Sequence, residues 1–218
     1  MKKIAGFLLI LSSMNNLFAQ SAKPSVAGEY YLRGVMETAS GFQLKPDSTF
    51  QFFYSYGMLD RFGTGKWTVE HNQIILTSRT RPDVDFKLVE EKTTPDDSIT
   101  IVIKDANDAL LHYVQCRIQT KDGIREQTSN NEGYVRFKKE PADSLALLFT
   151  ICPDRFSSFP IPANKNYFVF GFEPWIVEVF FDHFTLQNET TQLVGKHPLL
   201  EGNQFRYEKA SHAQVTEQ

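Results

Sequence analysis

The chain has 218 residues, 41% hydrophobic and 13% aromatic, with 23 basic against 26 acidic side chains and a formal net charge of −3. That mild acidity argues against a nucleic acid or an anionic membrane surface as partner. Nineteen phenylalanines and eight tyrosines favour strands and supply enough burial per residue for a substantial core.

Residues 1–19 have the anatomy of a signal peptide. Met1-Lys2-Lys3 is a basic start, Ile4 to Leu11 is an apolar stretch too short to span a bilayer, and Ala19 is small enough for cleavage before Gln20. No cysteine follows closely, so no lipid anchor is expected, and no later run is long enough for a membrane helix. The expectation is export to the periplasm or beyond.

Residues 20–94 alternate with period 2 and read as a meander of short antiparallel strands. The connections carry turn chemistry at Pro46-Asp47-Ser48, Gly63-Thr64-Gly65 and His71-Asn72. Within this segment Thr49 to Gly57 places Phe50, Phe52, Tyr54 and Tyr56 on one side of a strand. Two readings stand: the four rings fill a barrel, or they wall a cavity for an apolar or sugar-like ligand. The loop that follows, Tyr56 to Trp67, adds Asp60 and Arg61 among glycines. Either these fix a polar group at a pocket rim while Trp67 stacks on the ligand, or the loop is a hairpin with Trp67 plugging the barrel end.

Thr93 to Ser98 is a Pro/Asp linker, and clean alternation restarts over residues 95–160. Proline-rich Cys152 to Asn166 forms a second boundary. Residues 161–210 read as three strands, Tyr167–Phe172, Ile176–Leu186 and Gln204–Ala210, and residues 211–218 as a frayed polar tail. An oxidising compartment permits a bridge between Cys116 and Cys152. Strand parity puts the two on opposite faces of their strands, so a bridge and a pair of buried thiols both stay open.

The middle segment resembles the carboxypeptidase regulatory-like domain, a small transthyretin-type sandwich. The residues that carry this are the strand ending in the Asp105 turn, the Thr128…Gly133-Tyr134 turn, and the apolar strand "DSLALLFT". The resemblance implies a structural or adhesive module without catalysis. "GEYYL", "FQLKPDSTFQF" and "GTGKW" resemble small lipocalin-like barrels. If "QFRYEK" pairs beside "GEYYL", the sandwich is an insertion between two halves of one barrel.

Chemistry-bearing motifs are sparse. The five histidines show no metal-ligand spacing, and neither cofactor nor metal is expected. Asp182 and His183, adjacent on a strand, would point to opposite faces, with His183 half-buried. Glu178 and Asp182 would share a face but stand about 13 Å apart, too far for a glycosidase pair. The reading is an all-β exported protein, not an enzyme, with a lipocalin-like barrel or meander plus a small sandwich. Its partner is a small molecule or an envelope protein; the rival is an envelope scaffold acting through the sandwich.

Overall fold

A computed structural model describes residues 26–211; the expected leader and residues 212–218 of the tail lie outside the described residues. The chain opens with β1 (Gly28–Arg33), β2 (Thr38–Leu44), β3 (Thr49–Tyr56), β4 (Leu59–Glu70) and β5 (Gln73–Thr77) as an antiparallel meander. It closes with β14 (Phe184–Glu189), β15 (Gln192–Gly195) and β16 (Phe205–Lys209). These eight strands form one closed barrel in which β14 lies beside β5 and β16 beside β1, Tyr30 opposite Lys209. Strand order around the barrel follows chain order, the up-and-down arrangement of lipocalin-type barrels. Closure leaves the barrel no free edge.

Between β5 and β14 the chain builds two four-stranded sheets. One has the order β10 (Tyr134–Lys138), β7 (Ser98–Lys104), β13 (Tyr167–Phe172), β6 (Phe86–Lys92). The other runs β12 (Ser157–Pro160), β11 (Ala142–Phe149), β8 (Val114–Thr120), β9 (Gly123–Thr128). Their facing sides share one apolar core, with Ile101, Phe168 and Phe170 from the first sheet against Cys116, Ile118 and Leu147 from the second.

Three expectations need correction. The boundaries at 94/95 and 160/161 cut through the sandwich, because β6 pairs with β13 and β13 lies parallel to β7. Sheet membership therefore places β6 and β13 with the sandwich. The Gly63-Thr64-Gly65 turn is not a turn: β4 runs unbroken through it, and the hairpin turn falls at Gly57, whose φ is 59°. Nor is Ile176–Leu186 one strand. Residues 174–183 form turns and an irregular crossing segment, and regular pairing begins at Phe184.

The cysteines are both free and both buried in the sandwich core. Cys116 sits in β8 opposite Leu147 of β11, whereas Cys152 lies in the turn beyond that strand's end. The turn is closed by the Cys152 N–H on the Phe149 carbonyl at 3.1 Å, and the two thiols stay unbridged.

Candidate functional site

Inward positions of β3 and β4 build the barrel core. Phe50, Phe52 and Tyr54 point inside and are buried, while Tyr56 at the strand end is 50% exposed. An eight-stranded barrel has an interior just wide enough for side chains to fill. Here the crossing segment supplies the filling: the Phe181 ring packs edge-to-face against Phe42, Phe50 and Phe52 at centroid separations of 6.1, 5.1 and 5.4 Å. The two glycines of β4 make this packing feasible. A Cβ on Gly63 would come within 2.6 Å of Phe181, and one on Gly65 within 2.7 Å of Phe50. The inner stripe is a core, and the cavity reading for Phe50, Phe52 and Tyr54 is corrected accordingly.

At one end of the barrel His197 is buried among Phe52, Tyr54, Phe205 and Tyr207. Its Nδ1 accepts the backbone N–H groups of Leu199 and Leu200 at 3.0 and 3.1 Å, so the proton resides on Nε2. Nε2 is 3.1 Å from Ser40 Oγ, which itself donates to the Phe53 carbonyl at 2.8 Å. In this tautomer the imidazole donates to Ser40 and has no lone pair with which to activate it. Burial lowers the His197 pKa to about 4.

The remaining residues of the expected pocket rim separate. Asp60 is exposed, Trp67 donates from Nε1 to the Lys45 carbonyl at 3.0 Å, and Arg61 points inward, buried. Arg61 grips Asp154 with two bonds of 3.1 and 2.7 Å and donates to the carbonyls of Val177 and Glu178. Asp85 accepts Arg81 and Arg155 at 3.1 and 2.8 Å, and Glu178 accepts Arg79 at 2.6 Å. This network joins barrel, sandwich and crossing segment. The Asp182 and His183 side chains, expected on opposite faces, hydrogen-bond at 2.8 Å, because His183 adopts φ 48° in a turn; both are exposed.

Opposite parity builds a second feature on the outer wall. Tyr31, Gly41, Phe53 and Phe62 stand in register across β1 to β4. Their rings are 37%, 39% and 44% exposed, unusual for large apolar groups gathered in one row. The gap at Gly41 matters: a Cβ there would meet the Phe53 ring at 2.9 Å, so the ring lies down across β2 toward Tyr31, centroids 6.1 Å apart. One step along the strands, Glu29, Gln43, Gln51 and Thr64 form a parallel polar row. Glu29 accepts Gln43 at 3.1 Å and the Tyr31 hydroxyl at 2.8 Å, which fixes the orientation of both. The two rows line an open cleft of about 410 Å³.

The sequence reading missed Tyr31, Phe53, Phe62, Gln43 and Gln51. A signal was available: Phe53 interrupts the alternation between Phe52 and Tyr54, and a large aromatic residue on the outward parity of a strand wants an explanation.

No family model matches the chain, and no curated protein matches it. Among solved structures it is similar to a crystal structure of the Helicobacter pylori β clamp bound to a DNA ligase peptide, at 10% identity and a TM-score of 0.13. That alignment covers 85% of this chain and 57% of the other, so the chain spans little more than half of that structure's length.

Proposed function

We propose that this chain is an exported, non-enzymatic binding protein that holds a sugar-like ring ligand on the outer wall of its barrel. The observation that carries the reading is the aromatic row Tyr31, Phe53, Phe62 set one step from the polar row Glu29, Gln43, Gln51, Thr64. Pyranose rings offer apolar C–H faces and hydroxyl edges, which match a ring platform beside the Gln43 amide held by the Glu29 carboxylate and the neighbouring Gln51 amide. The export half of the reading rests on residues 1–19. Binding is favoured over hydrolysis because the candidate acid–base groups are otherwise engaged: Glu178 in its pair with Arg79, His197 in the Nε2–H tautomer.

In this reading the sandwich is a transthyretin-type structural module. Gly133, at φ 80° beneath the Ile103 carbonyl, supports that likeness by accounting for the glycine of the Thr128…Gly133-Tyr134 turn. A second reading, an envelope scaffold, draws on the outer edge of β6, where Leu88 and Val89 are 39% and 61% exposed at the end of a sheet.

Calorimetric titration with a panel of oligosaccharides tests the proposal. Binding should weaken about tenfold in Phe53→Ala and Phe62→Ala, the scale of one lost aromatic contact. Binding unchanged in both variants would remove the site from this face, and no binding to any oligosaccharide would end the reading.

A further inference from the structure

The outer cleft does not end at its polar row. Gln51 and Thr64 also line a second depression of about 620 Å³, which continues over Thr49, Lys66, Thr77 and Arg79. Thr49, Lys66 and Thr77 stand in register across β3, β4 and β5, one row beyond Gln51 and Thr64, and Lys45 flanks them at the end of β2. Three rows thus succeed one another on the wall: aromatic, amide, cationic. Each is two residues from the next along the strands, about 7 Å, so the whole spans about 14 Å.

The charge along this path is polarised. Glu29 is the carboxylate of the polar row; it lies at the β1 end and is held by the Gln43 amide and the Tyr31 hydroxyl. The second depression has Lys45, Lys66 and Arg79 among its lining residues and no carboxylate. Lys66 is exposed, and neither it nor Lys45 is held in a salt bridge among the described residues. Asp47, which feels the Lys45 charge, is taken up at Oδ1 by the backbone N–H and hydroxyl of Thr49. Arg79 spends one edge on Glu178 and leaves its side chain half exposed. A concentration of cations on a chain of net charge −3 selects for an anionic group at that point.

We infer that the ligand is an acidic glycan, with ring faces on Phe53 and Phe62 and a carboxylate or sulfate at Lys66, Lys45 and Arg79. This rests on the sugar-binding reading above and adds the charge and the direction of the bound chain. The anionic group binds two rows from the aromatic platform, so a monosaccharide is too short to use both ends.

Matched probes separate this inference from the reading beneath it. The full chain is titrated with oligogalacturonate and its methyl ester, and with a chondroitin sulfate oligosaccharide and its desulfated form. The acidic member of at least one pair should bind about tenfold more tightly than its charge-reduced partner, with the advantage shrinking as salt rises from about 0.05 to 0.5 M. Which pair responds identifies carboxylate or sulfate as the anion. The Lys45→Gln/Lys66→Gln double variant should lose that advantage while binding the charge-reduced form as before, which also shows that it is folded. Equal binding of both members of each pair would overturn the acidic-ligand inference and leave the sugar platform standing. No binding of any probe would overturn both.

Discussion

Phe181 seats its ring over Gly63, with 2.6 Å between that ring and the position a Cβ on Gly63 would take. The contact joins a residue of β4 to a segment that the chain reaches only after completing the sandwich. It ties barrel filling to the return of the chain.

Gly63→Val should therefore destabilise the protein by about 1–3 kcal/mol through overpacking against the Phe181 ring and the Val179 carbonyl, which a Cβ would meet at 2.6 and 2.7 Å. Phe181→Ala should cost about 3–5 kcal/mol by opening a void among Phe42, Phe50 and Phe52. Urea denaturation of each variant checks both figures. If Gly63→Val combined with Phe181→Ala is less destabilised than either single change, the two positions share one space.

Stability should fall with acid through His197. Its folded-state pKa of about 4 lies below the ordinary value of 6.5, because burial disfavours the imidazolium. The unfolded state then binds the proton more readily. The contribution is fully present above pH 6.5, declines as pH falls from 6.5 toward 4, and amounts to roughly 3 kcal/mol in all. Denaturation midpoints between pH 7 and 4 should show this slope, and His197→Gln should flatten it. A slope unchanged in the variant would assign the acid sensitivity to other groups.

Asp154→Ala should strand the Arg61 guanidinium, which is 5% exposed, with only backbone carbonyls for partners. Losing one member of such a pair costs about 3 kcal/mol. Arg61→Met combined with Asp154→Leu should recover most of the loss, because neither charge of that pair then remains, while Asp85 and Glu178 keep their own arginine partners. A thermal melt of the wild type and the two variants decides; a double variant as unstable as Asp154→Ala would contradict the account.

Both thiols should resist alkylation in the native protein and react on unfolding. Burial pushes the Cys116 pKa up to about 12, and burial also raises that of Cys152 against the opposing pull of Arg61. Mass spectrometry after iodoacetamide treatment should find no modification in the native state and two additions in denaturant without reductant. A single disulfide-linked species would refute the free-thiol assignment.

Much of the fold was legible from alternation alone. Strands such as β1, β3, β7 and β8 carry their periodicity within six to eight residues, and the Pro46-Asp47-Ser48 and His71-Asn72 turns carry their own geometry. The pairing of "QFRYEK" beside "GEYYL" was readable as well, since a barrel with an open edge is disfavoured. Glycine was the misleading letter. Gly63 and Gly65 look like a turn in sequence, yet they are inward strand positions kept bare by the Phe181 ring and Val179 carbonyl at the first and by the Thr77 carbonyl and Phe50 ring at the second.

Period-2 patterning determines which residues share a face, because successive side chains of a strand alternate whatever the partner. It does not determine what lies against that face. Whether Phe50, Phe52 and Tyr54 met a ligand or a core depended on Phe181 and His197, delivered from the far side of the sandwich. Tyr31, Phe53 and Phe62 are single outward aromatics in three separate strands, each unremarkable locally. Only the registers of β1 to β4 set them in one row beside Gln43 and Gln51, since register is a property of paired strands and not of any one of them.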